Sequence, residues 1–178
     1  MNICIYGSYS KNLDKEMIEV SKQIGKTLAK RGHDLIFGGG KNGLLGGLAK
    51  EVNDNNGKTI GIILDDSDME TFVYKDCTTL ISKENMSVRK LYMESNCDGF
   101  IILPGGIGTL DEFFEVLVLK NKGIINKPIV VFNYDNFFDD MFLFMKKIVN
   151  KNMMNDKVFE LFFVTDNIDD MFNYLENY

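Results

Sequence analysis

The sequence of 178 residues predicts an α/β fold, in which a doubly wound and mostly parallel sheet of about seven strands is flanked by helices. Short apolar runs alternate with longer segments of helical period, which is the pattern of βαβ units. Two glycine-rich loops follow apolar runs and open helical segments, as at the ligand-binding edge of such sheets. Hydrophobic residues make up 45% of the chain and no Pro/Gly/Ser linker interrupts it, so we expect one Rossmann-like domain over residues 1–178.

The apolar runs and the helical segments define the expected elements in chain order. Pro104 is expected to end a strand and Pro128 to precede one, positions that proline tolerates. The predicted strands are Asn2–Tyr6, Asp34–Phe37, Lys58–Leu64, Cys77–Ile81, Gly99–Leu103, Ile129–Phe132 and Leu161–Val164. The predicted helices are Asp14–Lys30, Gly43–Asn55, Glu84–Ser95, Leu110–Asn121, Phe137–Asn150 and Ile168–Leu175.

Charge and hydropathy exclude several classes of partner. The net charge is -6 and the pI is near 4.9, and no run of Lys or Arg forms a basic stripe. A nucleic-acid partner is therefore not expected, because its phosphate backbone needs such a stripe. No apolar run approaches the roughly 18 residues of a membrane span, and no basic leader precedes the first strand. We expect neither export nor a membrane anchor.

The cysteines and the single histidine predict no metal or disulfide chemistry. Cys4, Cys77 and Cys97 are odd in number and widely spaced, which fits neither a disulfide framework nor a metal site and indicates a reducing cytoplasm. His33 lies between a helix end and a strand start, so we expect it at the surface. Arg31, at the end of the same helix, is expected to interact favourably with the helix dipole.

The first glycine loop has the spacing of a dinucleotide-binding motif. Gly38-Gly39-Gly40-Lys41-Asn42-Gly43 follows a predicted strand and opens a predicted helix, where backbone N–H groups favour an anion. A nicotinamide site would normally place this loop after the first strand, whereas here it follows the second. A tight strand-to-helix turn that packs closely is the alternative interpretation of the same glycines.

The second glycine loop carries more chemistry. Pro104-Gly105-Gly106-Ile107-Gly108-Thr109-Leu110-Asp111-Glu112 follows the fifth strand, and its glycines free the backbone to wrap a phosphate. Thr109 is expected at the helix N-cap. Glu112 then has two interpretations: it completes a capping box with Thr109, or its carboxylate acts on positive charge that develops in a reaction.

Arg89 is the second candidate for chemistry. Only Arg31 and Arg89 stand against eighteen lysines, so an arginine here indicates a need for the planar guanidinium, which binds phosphate or a leaving group in a way that lysine cannot. The alternative is a solvated position on the face of its helix.

The motif pair Met86-x-x-Arg89-Lys90 and Pro104-Gly105-Gly106-x-Gly108-Thr109-x-x-Glu112 resembles the signature of the LOG ("Lonely guy") family. These are cytokinin riboside 5'-monophosphate phosphoribohydrolases, often mislabelled lysine decarboxylases. The resemblance extends over nearly the whole chain, with departures at Asn85 and Ser87 that bear on base specificity.

The resemblance implies hydrolysis of the N-glycosidic bond of a nucleoside 5'-monophosphate to a free base and ribose 5-phosphate, without a cofactor or metal. It implies Arg89 and Glu112 as the catalytic pair. The substrate-binding residues that it implies are Lys90, Gly105, Gly106, Gly108, Thr109, Asp111, Gly39, Gly40, Gly43, Ser8 and Glu70.

Other readings of the same loops remain. A nucleotide or molybdenum-cofactor carrier of the same fold would hold phosphate without chemistry, although a passive phosphate site gains nothing from a nearby carboxylate. A nicotinamide-dependent oxidoreductase would rest on Gly38 to Gly43. A decarboxylase would need pyridoxal phosphate on a lysine, and no lysine stands in a recognisable context for that bond.

The helix after the second glycine loop predicts a homodimer. Leu110, Phe113, Phe114 and Leu117 have the spacing of a face that packs on the sheet. Val116, Val118 and Leu119 extend the apolar surface around the helix. We expect a second copy of the chain to cover this second face, with burial under neighbouring helices as the alternative.

Overall fold

A seven-stranded sheet in the order β4-β3-β2-β1-β5-β6-β7 organises the chain. The computed structural model describes residues 1–65 and 71–178. The strands are β1 (Asn2–Tyr6), β2 (Asp34–Phe37), β3 (Thr59–Leu64), β4 (Thr79–Lys83), β5 (Gly99–Ile102), β6 (Ile129–Phe132) and β7 (Phe163–Thr165). All six neighbouring pairs in this order are parallel, so the predicted α/β architecture is confirmed.

Six helices cover the two faces of the sheet. They are α1 (Lys15–Lys30), α2 (Gly43–Asp54), α3 (Met86–Asn96), α4 (Ile107–Asn121), α5 (Asp139–Asn150) and α6 (Ile168–Glu176). One hydrophobic core joins β1 to α1, α2 and α6, and a second core on the other face joins it to α3, α4 and α5. Strands β5 and β6 are buried on both faces of the sheet, and their sequences are accordingly continuous apolar runs. Within the described residues, no helix is both long and apolar enough to cross a membrane.

The direction of winding reverses at β1. This strand pairs with β2 on one side and with β5 on the other, so the loops that follow all three strands meet at one edge of the sheet. Backbone hydrogen bonds join the loops: Ser8 N–H donates to the Pro104 carbonyl over 3.1 Å, and Leu44 N–H donates to the Ser8 carbonyl over 2.9 Å. Both glycine loops are therefore held next to the end of β1.

Two predicted elements are displaced along the chain. The fourth strand covers Thr79–Lys83 rather than Cys77–Ile81, because it is an edge strand whose residues are largely exposed and whose hydrophobic pattern is therefore weak. Helix α4 begins at Ile107 instead of Leu110, since Gly106 supplies the extended N-cap conformation. The other elements agree with the predictions to within about two residues.

The predicted core face of α4 is partly wrong. Phe113 and Leu117 are buried as expected, but Phe114 is 38% exposed and Val116 is completely buried. The helix is therefore rotated relative to the expectation, and Val116 belongs to the core rather than to the second apolar face.

His33 is buried, in contrast to the expected surface position. Its Nε2–H donates to Glu176 Oε1 over 2.8 Å, and its ring lies against Phe172 of α6. The guanidinium of Arg31 also binds α6, through Glu176 and Asp169. Both side chains at the end of α1 thus anchor the last helix, an interaction with no local signal in the sequence.

Gly25 should be intolerant of a side chain, because the backbone of α2 lies directly against it. A Cβ at Gly25 would lie 2.4 Å from the Leu48 carbonyl oxygen, whereas a Cβ at Gly47, in the neighbouring helix, would meet nothing closer than 3.6 Å. We expect Gly25→Ala to cost about 1–3 kcal/mol of unfolding free energy. Gly47→Ala should be neutral or stabilising by up to about 1 kcal/mol. Urea unfolding of both variants checks this, and equal stabilities would contradict it.

Candidate active site

Arg89 and Glu112 face each other at the carboxyl edge of the sheet. Arg89 comes from the first turn of α3 and Glu112 from the second turn of α4, and the guanidinium Nη1 lies 4.0 Å from the carboxylate Oε1. The side chains are 12% and 16% exposed, so both charges are largely withdrawn from water. The structure therefore brings together the two residues that the sequence singled out for chemistry.

The backbone of the sheet holds Arg89 in place. Its Nε–H donates to the Ile62 carbonyl of β3 over 2.7 Å. The terminal Nη2 occupies space next to Gly38, where a Cβ would come within 2.4 Å of it. The first residue of the first glycine loop is thus a glycine that leaves room for the guanidinium, a contact between distant residues that the sequence does not reveal.

Burial alters the acidity of Glu112. Loss of hydration raises the pKa of this carboxyl from 4.5 to about 7, and the positive charge of Arg89 opposes the rise. The neighbouring Asp111 carboxylate adds to the rise. A carboxyl with a pKa near 7 exchanges protons readily at neutral pH, which is the property of a general acid or base.

The predicted N-cap position of Thr109 is wrong. Gly106 is the N-cap of α4, and Thr109 is a buried residue of the first turn, packed against Gly105. Glu112 is consequently one turn too far along the helix for a capping box. Its carboxylate therefore has no capping task at the helix terminus.

The N-terminus of α4 offers unpaired backbone donors. The first intrahelical bond runs from Leu110 N–H to the Gly106 carbonyl over 3.1 Å, so the N–H groups of the preceding residues have no helical partner. Neither a capping side chain nor an acidic residue in the first turn neutralises this end of α4. By contrast, α1, α3 and α6 begin with capping side chains, from Asp14, Asn85 and Asn167. The terminus of α4 is therefore suited to an anion.

The glycines of the second loop fall into two groups. A Cβ at Gly105 would lie 2.1 Å from Thr109 Oγ1, so this glycine is required by packing within the chain. Gly106 and Gly108 have no atom within 4 Å of a Cβ position and no positive φ. The fold itself gives these two positions no reason to lack a side chain, which is what close approach of a ligand would explain.

The first glycine loop is shaped mainly by the chain. Gly39 and Gly43 have φ values of 73° and 64°, and their Cβ positions are blocked by Ile63 and by the Ser8–Tyr9 backbone. Only Gly40 among the predicted binding glycines of this loop has open space around it. The structure thus supports the close-packing interpretation for Gly39 and Gly43, while Ser8 lies between the two loops.

Lys90 and Asp111 lie beside the pair but bind each other. Lys90 Nζ is 2.9 Å from Asp111 Oδ2 and 2.5 Å from Glu115 Oε2, which joins α3 to α4. Sequence reasoning did not identify Glu115, although its position four residues after Asp111 places both carboxylates on one face of α4.

Glu70 and Asn85 are two further positions that the resemblance to the LOG family singled out. Glu70 lies outside the described residues, so its predicted substrate contact has no structural counterpart here. Asn85, one of the departures from the LOG pattern, caps α3 by accepting a hydrogen bond from Val88 N–H over 3.0 Å.

Sequence reasoning also missed Tyr6, at the end of β1. Its hydroxyl is buried without a hydrogen-bond partner of regular geometry among the described residues. Burial raises the pKa of Tyr6 well above its usual value, and the charge of Glu112 contributes to the rise. Its place at the end of the central strand was the available signal.

The N-terminus of α2 likewise has neither a capping side-chain hydrogen bond nor an acidic residue in its first turn. A cavity of about 330 Å³ lies elsewhere on the molecule and is lined by acidic side chains, which repel a phosphate: Asp14, Glu16, Asp135 and Asp166, with Met17 and Tyr134. Residues 1–65 and 71–178 contain no cluster of three or more His, Cys, Asp or Glu side chains arranged to hold a metal ion.

Comparison with known proteins gives consistent relatives. A family model described as "Possible lysine decarboxylase" matches residues 45–175. The chain is 32% identical over 160 residues to the cytokinin riboside 5'-monophosphate phosphoribohydrolase of Mycobacterium tuberculosis, covering 87% of this chain and 83% of that protein. It is 29% identical over 176 residues to the enzyme LOG2 of Arabidopsis thaliana, which bears the same name, covering 99% and 83%.

Solved structures share the fold. A molybdenum cofactor binding protein from Rippkaea orientalis superposes with a TM-score of 0.70 at 19% identity, covering 98% of this chain and 93% of that one. The molybdenum cofactor carrier protein of Chlamydomonas reinhardtii gives a TM-score of 0.72 at 18% identity, covering 98% and 94%. At this identity the likeness concerns the architecture alone.

The raised pKa of Glu112 predicts a stability that falls with pH. Because the folded protein holds the proton up to about pH 7 and the unfolded chain releases it near 4.5, stability is lost as pH rises between these values. Glu112→Gln removes this loss, so the variant should gain up to roughly 3 kcal/mol over the natural chain at pH 8 and much less at pH 5. Urea unfolding at both pH values measures the gain, with the exposed Glu160→Gln as control. A gain independent of pH would show that Glu112 has an ordinary pKa.

Proposed function

Because the chain belongs to the LOG family of cytokinin riboside 5'-monophosphate phosphoribohydrolases, we propose that it hydrolyses the N-glycosidic bond of a nucleoside 5'-monophosphate. The products are a free base and ribose 5-phosphate. The observation that carries the proposal is the buried Glu112 carboxylate, 4.0 Å from Arg89 and beside the uncapped N-terminus of α4.

Glu112 acts at the sugar. Cleavage of the bond passes through an oxocarbenium-like state, in which positive charge develops at C1' of the ribose. An ionised carboxylate stabilises that charge and accepts a proton from the attacking water. The proton then passes to the departing base, so that water is divided between the two products. A pKa of about 7 allows Glu112 both to take and to return this proton near neutral pH.

Arg89 stabilises negative charge. Its Nε–H is occupied by the Ile62 carbonyl, so the Nη groups are the donors that remain for substrate. They lie next to Glu112, where they meet either the departing base or a phosphate oxygen. Fixing of the guanidinium by the sheet reduces the reorganisation needed during the reaction.

The backbone of the second glycine loop binds the 5'-phosphate. The N–H groups at the start of α4 have no capping side chain, and the positions of Gly106 and Gly108 leave room for the phosphate oxygens. Gly105 and Thr109 support this loop through their mutual packing. In this arrangement the phosphate is recognised by main-chain donors, and no cofactor or metal takes part.

A carrier function is the second candidate, since the molybdenum cofactor carriers share the architecture. The paired Arg89 and Glu112 favour the hydrolase, because an ionisable carboxyl beside a passive phosphate site weakens anion binding. A decarboxylase is disfavoured by the state of Lys90, the lysine that follows Arg89 in the chain. Hydrogen bonding to Glu115 raises the pKa of Lys90, whereas a lysine that forms a Schiff base needs a lowered one.

The phosphate requirement is the first prediction from this function. Purified protein should release free base from AMP or from N6-isopentenyladenosine monophosphate, and should act poorly on the corresponding nucleosides, because the α4 donors need a phosphate. Chromatography of the reaction with these four compounds, GMP and CMP measures it and identifies the preferred base. Equal rates on adenosine and AMP would refute the proposed role of the loop, and binding without turnover would favour the carrier.

The carboxylate of Glu112 is the subject of the second prediction. Glu112→Gln should lower kcat by roughly 100-fold or more while the protein remains folded, which is the scale of losing one transition-state charge contact. In the natural chain the rate should fall below a pH of about 7, as Glu112 becomes protonated. Rate measurements from pH 5 to 9, with Glu160→Gln as control, test both points. A near-normal rate in the Gln variant would exclude Glu112 from the chemistry.

We further propose a homodimer formed through the outer face of α4. Ile107, Phe114 and Val118 are 89%, 38% and 54% exposed, and Leu91 of α3 is 62% exposed. A second copy would cover such apolar surface, most often about a twofold axis. Light scattering should give twice the chain mass of 20.3 kDa, and Val118→Lys should shift it towards one chain. A mass near 20.3 kDa for the natural protein at micromolar concentration would refute the dimer.

The state of the three cysteines indicates the cellular compartment in which the protein acts. Cys4, Cys77 and Cys97 are free thiols, and burial raises the pKa of Cys77 to about 11, which keeps it unreactive. We propose that the protein acts in the reducing cytoplasm.

A further inference from the structure

Lys90 is held between two carboxylates. Its Nζ lies 2.9 Å from Asp111 Oδ2 and 2.5 Å from Glu115 Oε2, and its side chain is only 14% exposed. Hydrogen bonding to Glu115 raises the pKa of Lys90, so the ammonium stays protonated. The two acids are one helical turn apart on α4 and would repel each other without the cation between them.

The charge around Lys90 does not favour a phosphate. One ammonium and two carboxylates leave a net charge of -1, and the buried Glu94 of α3 lies close enough for its pKa to be affected by Lys90, Asp111 and Glu115. A phosphate bound here would have to displace at least one carboxylate and would then face the other. The α4 backbone donors carry no such opposing charge in the first turn.

The same contacts join the two helices that carry the reactive pair. Lys90 follows Arg89 directly on α3, and Asp111 precedes Glu112 directly on α4. At 4.0 Å, the Arg89–Glu112 contact is too long for a direct hydrogen bond. Among the described residues, the ion pairs that join α3 to α4 within direct hydrogen-bond distance are those of Lys90.

We propose that Lys90 is a positioning residue, which fixes Glu112 relative to Arg89 by bridging Asp111 and Glu115, and is not a ligand of the 5'-phosphate. The inference rests on the proposed hydrolase function and refines the role that the family resemblance implies for Lys90 and Asp111.

The bridge also sets the proton affinity of Glu112. The groups that act on this carboxyl are Arg89 and Lys90 from α3, which lower its pKa, and Asp111 and Glu115 from α4, which raise it. Tyr6 and Cys4 of β1 lie close enough to Glu112 for its charge to raise their pKa values. Loss of Lys90 therefore shifts the pKa of Glu112 upwards, and loss of the two acids shifts it downwards.

Two variants separate positioning from phosphate binding. Lys90→Met removes the cation, and the double variant Asp111→Asn with Glu115→Gln leaves the cation without its partners. Lys22→Met is the matched control, because Lys22 forms an ion pair with Glu19 on α1, away from the site. For each variant, kcat, KM for AMP, the pH profile of kcat and the melting temperature are measured, together with AMP binding by calorimetry.

If Lys90 is a positioning residue, kcat should fall by roughly tenfold to a hundredfold in both Lys90→Met and the double variant. The KM for AMP and the affinity for AMP should stay within about threefold of the natural chain. The acidic limb of the pH profile should move up in Lys90→Met and down in the double variant, a pair of opposite shifts that a loss of stability alone would not produce. The Lys22 control should behave as the natural chain.

If Lys90 instead binds the phosphate, the affinity for AMP should change in both variants. AMP would then bind roughly tenfold or more weakly to Lys90→Met and more tightly to the double variant, whose lysine is free, and this result would overturn the inference. If the natural chain cleaves none of the nucleotides, the proposed function fails and the positioning role fails with it, whereas cleavage by the natural chain together with weaker AMP binding to Lys90→Met would overturn the positioning role alone.

Discussion

The reversal of winding at β1 is the constraint on which the rest of the structure depends. Strands β2 and β5 lie on opposite sides of β1, so the connections after β1 and its neighbours turn away from the sheet edge in opposite directions. In open α/β sheets a crevice forms between connections that diverge in this way. Ser8 closes the base of the crevice with one hydrogen bond to each glycine loop. The edge is thereby a rigid frame made of main chain, which then needs only a few side chains to become a reactive site.

Those side chains are held at some cost in stability. Glu112 is buried beside Arg89, whose charge offsets only part of the loss of hydration, so the pKa of the carboxyl is raised to about 7. A fold selected for stability alone would place an apolar residue there. A poorly compensated carboxyl at the crevice, together with a Tyr6 hydroxyl that has no hydrogen-bond partner of regular geometry among the described residues, is typical of sites where function and stability conflict.

Most of the fold and the central pair of the site could be predicted from the sequence. The strands on either side of β1 are short apolar runs with clear limits, and the spacing from Arg89 to Glu112 belongs to a specific motif. The local sequence pattern gave wrong predictions where contacts between distant parts of the chain determine the structure. The burial of His33 depends on α6, the rotation of α4 depends on its contacts with the sheet, and the helix start at Gly106 overrides the preference of Thr109 for a cap. The role of Gly38 likewise depends on a side chain from another helix.

Gly38 differs from the glycines that a turn requires. Its φ is not positive, and what a side chain there would meet is the guanidinium of Arg89. Substitutions at the two positions are therefore expected to depend on each other, although β3 separates these residues in the chain. Within the family, the glycine should be maintained only in lineages that keep the arginine, and a lineage that loses the arginine first is free to accumulate larger residues at position 38. Covariation between these two positions would then record whether the site has been kept under selection for its chemistry.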